Sequence, residues 1–194
     1  MSLLFFDMEF TGLHKNTTPI SMGIVSEDGK RFYAEFSDYA KTQCNDWIVE
    51  NVTSELLHDK PDKWHFVVAD RQVYGDKKHV HYELEDWLQQ FGTVQFVSDV
   101  CHYDFVLLID ILTSGKTALD LPLNISPICI DLNNFIAQHF DISNFKAFDL
   151  SRENIMYMLC GENDIVFGKK HNSLYDAEVI RAIWKEIGRD GRYI

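Results

Sequence analysis

Asp7 and Glu9 stand two apart at the end of an apolar run, Leu3-Leu4-Phe5-Phe6-Asp7-Met8-Glu9-Phe10, which breaks at Gly12. In a strand, alternate side chains share a face, so both carboxylates enter the same space from the end of a rigid element. Two anions held that close raise each other's pKa and oppose the compact state unless a cation or a shared proton compensates. The pair is therefore read as metal ligands or as an acid/base dyad, with a solvated strand end as the bland alternative.

Later residues add to that chemistry. Asp104 follows Tyr103 just past the run Val94-Gln95-Phe96-Val97-Ser98, at the mouth of an apolar helical stretch where a charge needs a partner. An acid favoured by the helix dipole is the other reading. Asp176 lies in His171-Asn172-Ser173-Leu174-Tyr175-Asp176-Ala177. Ser173-x-x-Asp176 has capping-box spacing, so this acid could do no more than tie off a helix start. His171 precedes the helix and can hang from a loop above a site that Asp176 lines, placed to act as a base.

The elements that position these groups are legible from their periods. Alternation and an Asp28-Gly29 turn predict strands over 19–26 and 31–36, antiparallel to the first strand. Helical spacing follows over 45–57 and 82–91, then a short buried strand over 94–98 and an apolar helix over 104–112. A fifth strand is expected over 127–132 and an amphipathic helix over 173–187, whereas 59–78 and 144–170 give no clear period. A meander continued by strand-helix-strand units makes a mixed α/β sheet, its first three strands antiparallel and the later additions parallel, with helices on both faces.

Bulk properties set limits on the reading. A chain of 194 residues with 46% hydrophobic content suits one domain, 1–194. No apolar run reaches bilayer length and the N-terminus lacks a signal-peptide pattern, which leads us to expect a cytoplasmic protein with no membrane partner. Cys44, Cys101, Cys129 and Cys160 form no C-x-x-C pair, so they read as reduced core residues. The formal charge of −12 disfavours a binder that depends on a broad basic surface. If the four acids held two divalent cations, the sum would become −12 + 4 = −8, and a local site could still draw phosphate.

Three motifs in order, Asp7-x-Glu9-x-Thr11-Gly12-Leu13, Tyr103-Asp104 at a mid-chain helix, and His171-Asn172-x-Leu174-x-Asp176-Ala177, resemble those of the DEDDh 3′-to-5′ exonucleases. The resemblance spans most of the chain and implies a ribonuclease H-like fold with a five-stranded mixed sheet. It implies that Asp7, Glu9, Asp104 and Asp176 are metal ligands for two divalent cations, Mg²⁺ or Mn²⁺, and that His171 is the general base. Thr11, Gly12 and Leu13 match the turn that meets the terminal nucleotide. Phe10 and Tyr103 are further candidates to stack on bases, and Lys169 and Lys170 to receive phosphates.

The chain departs from the proofreading enzymes at Ser21, where they carry Glu, and at Asp99-Val100, where they carry His-Asn. With Glu27-Asp28-Gly29 leading into Phe32-Tyr33-Ala34-Glu35, it looks closer to the ribonuclease AS type of exoribonuclease, which favours single-stranded RNA over DNA as partner. The implied reaction releases nucleoside monophosphates from a free 3′ end. A DNA-directed exonuclease, an endonuclease-like acid triad and a silent nucleic-acid-binding module remain the alternatives, and a homodimer stays open.

Overall fold

β1 (Ser2–Phe10), β2 (Pro19–Ser26) and β3 (Arg31–Phe36) form the antiparallel meander that the alternation predicts, in a computed structural model that describes residues 1–60, 69–161 and 166–188. Residues 61–68, 162–165 and 189–194 of the expected 1–194 domain lie outside those described. Gly29 closes the β2–β3 turn at φ +91°, a left-handed conformation that glycine adopts without steric cost. All eight residues of β2 are buried, so both faces of the sheet are covered there.

The sheet has six strands in the order β4-β3-β2-β1-β5-β6, where five were expected. The additional one is β4 (Arg71–Gly75), an edge strand parallel to β3. Only Val73 within it is buried, too little apolar alternation for the sequence to announce it. On the other side β5 (Val94–Ser98) runs parallel to β1, and β6 (Ile130–Asp131) parallel to β5. β6 is shorter than the predicted 127–132 because Asp131 already caps the next helix, accepting the Asn133 N–H at 2.8 Å.

Helices cover both faces. α1 (Asp46–Asn51) ends early, and a 3₁₀ turn over Thr53–Glu55 replaces the rest of the predicted 45–57 helix. Ile48, Val52 and Leu56 nevertheless bury together against Ile20. α2 (Lys77–Leu88) starts before the predicted 82, where Asp76 accepts the His79 N–H at 2.8 Å. α3 (Cys101–Leu112) likewise begins three residues before Asp104. These two helices pack on Leu4, Phe6 and Met8 of β1. α4 (Leu132–His139), α5 (Asn144–Asp149), α6 (Arg152–Cys160) and α7 (Ser173–Ile187) complete the chain, and α4, α6 and α7 pack on Phe5 and Val97 from the opposite face. Among the described residues the four cysteines form no disulfide, and all are half-buried. Among the described residues no helix is long and apolar enough to cross a membrane.

Candidate active site

The alternation of β1 sorts its side chains: Leu4, Phe6 and Met8 enter the α2–α3 core, while Phe5, Asp7 and Glu9 face the α7 side. β1 is also longer than its neighbour β5, whose pairing stops at Phe5↔Val97. The Met8 N–H beyond that point donates to Asp104 Oδ1 at 2.9 Å. Asp104, 8% exposed in the first turn of α3, is thus held against β1 between the two N-terminal acids.

α7 reaches the same place because β2 lets it come close. Gly23 pairs with Asp7, and a Cβ built on Gly23 would lie 2.4 Å from the backbone of Leu174. No other residue type fits there without a shift. The Ser173 hydroxyl lies 3.0 Å from that of Ser21, both buried. The capping box over Ser173 and Asp176 does not form, because the cap is one residue earlier: Asn172 Oδ1 accepts the Tyr175 N–H at 3.1 Å. Asp176 Oδ2 accepts instead from the backbone N–H of His171, at 2.8 Å.

His171 has φ +65°, an unfavourable conformation for a residue with a side chain. That bond to Asp176, an edge-on contact with the Trp47 ring at 5.0 Å, and an approach of Nδ1 to Glu9 Oε1 at 3.5 Å fix its position. Ligand atoms of Glu9, His171 and Asp176 all lie within 4.8 Å of one another.

The electrostatics of this cluster ask for positive charge. Asp7 Oδ2 is buried with no hydrogen-bond partner among the described residues. Burial, then Asp176, Glu9 and Asp104, pushes the Asp7 carboxyl well above the usual carboxylate range. Burial and then the Glu9 charge raise Asp176 to about 8, against the opposing His171 N–H. Burial raises Asp104 to about 7, against the opposing Met8 N–H. An orphaned buried carboxylate oxygen among hard oxygen donors fits a Mg²⁺- or Mn²⁺-type ion.

Asp7, Glu9, His171 and Asp176 line one cleft of about 230 Å³, and Asp104 joins them through the Met8 N–H, between Asp7 and Glu9 on β1. Two residues of the cleft escaped the sequence reading. Asp99, just past β5, is half-buried and pairs with Arg152 Nε at 2.8 Å. Burial raises its pKa and Arg152 opposes that. An acid at a strand end is the same signal that picked out Asp7, so Asp99 was within reach of that reading, whereas Arg152 meets it only through the fold.

Of the candidate nucleotide contacts, Phe10, Thr11, Gly12, Leu13 and Tyr103 do not line this cleft. Phe10 and Tyr103 stack on each other at 5.7 Å with a 28° interplanar angle, from β1 and α3. The Thr11 hydroxyl is buried and donates to Gln43 Oε1 at 2.6 Å, which ties the turn inward. Gly12 adopts φ +153°, and Leu13, 77% exposed, stands at the tip. Lys170 lines the cleft, whereas Lys169 is paired with Glu55.

Comparison with known proteins places this geometry. A family model described as "3'-5' exoribonuclease Rv2179c-like domain" matches residues 2–188. Two curated relatives from Mycobacterium tuberculosis, "3'-5' exoribonuclease Rv2179c" of strain H37Rv and "3'-5' exoribonuclease MT2234.1" of strain CDC 1551, are each 26% identical over 117 residues. The match covers 59% of this chain and 63% of the length of each relative. A solved structure described as "3'-end specific recognition of histone mRNA stem-loop by 3'-exonuclease" superposes with a TM-score of 0.61 at 14% identity, over 94% of this chain and 61% of that one. The Neurospora crassa Pan2 catalytic unit does so with a TM-score of 0.55 at 14% identity, over 95% of this chain and 26% of that one. These superpositions bear out the expected mixed α/β fold.

Proposed function

The chain belongs to the Rv2179c-like 3′-5′ exoribonuclease domain family, and from that premise we propose that it is a metal-dependent 3′-to-5′ exoribonuclease. It acts on single-stranded RNA in preference to DNA, through one domain over 1–194. The observation that carries this reading is the orphaned Asp7 Oδ2, buried where Glu9, Asp104, Asp176 and His171 converge. Asp7, Glu9, Asp104 and Asp176 would hold two divalent cations, Mg²⁺ or Mn²⁺. Such a pair, when bound, supplies charge stabilisation to the attacking and leaving oxygens of an in-line displacement at phosphorus.

The side chains divide the remaining work. A ring nitrogen of His171 accepts the proton of the attacking water. The Asp176 carboxylate fixes the His171 backbone, and Trp47 limits the swing of the ring. Glu9 Oε1 lies 3.5 Å from Nδ1 and limits the ring from the β1 side. Leu13, at the turn that the Thr11–Gln43 bond ties inward, and Phe10 would meet the terminal nucleotide.

Linear and circularised versions of one single-stranded RNA, with DNA copies of each, test the proposal. With Mn²⁺ the linear RNA should shorten from its 3′ end to nucleoside monophosphates while the circle survives, and Asp7→Asn should abolish the digestion. Cutting of the circle would make the chain an endonuclease, and faster digestion of the DNA would reverse the substrate preference.

A further inference from the structure

The cleft has a second wall that this chemistry does not use. It is built at the junction of α5 and α6, where Phe148 and Leu150 line the same cavity as Asp7, Glu9 and Asp176. Both are large apolar side chains left in water: Phe148 is 57% and Leu150 40% exposed. Phe145, three residues earlier on α5 and hence on the same side of the helix, is 78% exposed.

The wall is not a loose segment. Arg152 Nη1 donates to the carbonyls of Ala147 at 3.0 Å and Leu150 at 2.8 Å, and Nε donates to Asp99 Oδ2 at 2.8 Å. Nη2 donates to Asn133 Oδ1. One guanidinium therefore ties the backbone that carries both apolar side chains to the end of β5 and to α4. The fold thus holds the backbone that carries an exposed phenylalanine beside a half-buried cluster of acids.

The protein carries a formal charge of −12, and of the basic residues that line the cleft Arg152 is occupied internally, so Lys170 is the one placed to meet phosphate. Stacking on the uncharged face of a base adds a grip that needs no positive charge. We propose that Phe148, flanked by Leu150 and held in place by the Arg152–Asp99 clasp, is a stacking platform for one nucleobase adjoining the scissile phosphate of a single-stranded substrate. Asp99 is then the counterion of that clasp, a positioning residue distinct from the four metal-holding acids. The inference rests on the nuclease reading above. The location of Phe148 and Leu150 inside the acid-lined cleft favours a nucleobase over a second copy of the chain as occupant.

The test compares kcat/KM of the wild type and Phe148→Ala on three single-stranded RNA oligomers: intact, abasic at the last residue, and abasic at the penultimate residue. On intact RNA the variant should lose roughly 10-fold or more, with unchanged circular dichroism and Tm, since the side chain is exposed. On one of the abasic oligomers the two proteins should converge to within about 2-fold, because the base that Phe148 contacts is missing. A variant as fast as the wild type on intact RNA, or one that loses the same factor on all three, overturns the subsite alone. A loss shared by all three together with a change in sedimentation assigns the patch to a second copy and overturns it as well. A wild type that shortens none of the oligomers overturns the nuclease reading, and the subsite with it.

Discussion

At the scale of single residues, the account depends on His171 being a base and not a metal ligand, although its ring lies within ligand distance of Glu9 and Asp176. His171→Ala should lower kcat by on the order of 10²–10⁴, while Mn²⁺ affinity measured by calorimetry stays close to that of the wild type. A variant that loses Mn²⁺ affinity in step with kcat would make the histidine a ligand. The carboxylates and this histidine were legible because each belongs to a short pattern with a physical meaning: two acids on one strand face, an acid at a helix mouth, a histidine just before a helix. Arg152 was not, because its four hydrogen bonds reach α4, the α5–α6 junction and the end of β5, which no local period connects. The capping box over Ser173 and Asp176 misleads in the same way: spacing permits it, and the nearer cap at Asn172 takes its place.

At the scale of elements, the site exists because α7 lies against β2 closely enough to bring Asp176 to Asp7. Gly23→Ala puts a methyl group 2.4 Å from the Leu174 backbone, where neither rigid element can yield cheaply. We expect about 1–3 kcal/mol of lost stability in urea unfolding together with a fall in kcat, because the helix start carrying His171 and Asp176 moves away from β1. Unchanged stability and kcat would show that the close approach does not govern the site. The strands over Pro19–Ser26, Arg31–Phe36 and Val94–Ser98 and the helix over Ser173–Ile187 match their sequence patterns because each buries a face with its own period. β4 and the first turn of α2 escaped because an edge strand with one buried residue and a polar, Asp76-capped turn have no apolar period to read.

At the scale of the whole molecule, a protein already at −12 brings Asp7, Glu9, Asp104 and Asp176 together at one site, so its stability should depend on protons and on metal. The folded pKa values of Asp7, Asp104 and Asp176 are raised, the last two to about 7 and about 8. The folded state therefore binds more protons than the unfolded chain between the ordinary carboxylate range and pH ~8, and stability falls as pH rises through that window. Metal-free protein should melt at a higher temperature at pH 5.5 than at pH 8.5, as read by calorimetry. Mn²⁺ should raise the Tm at pH 8.5 by more than at pH 5.5, where protons compete for the same oxygens. A Tm that rises with pH in metal-free buffer would contradict the assignment of these acids to one buried cluster. The measurement that bears most directly on the central claim is the product pattern from a 5′-labelled single-stranded RNA incubated with Mn²⁺, beside its circular form and beside the Asp7→Asn protein. The account predicts a ladder that shortens stepwise from the 3′ end of the linear RNA, an intact circle, and no ladder from Asp7→Asn; internal fragments, a cut circle or undiminished digestion by Asp7→Asn would contradict it.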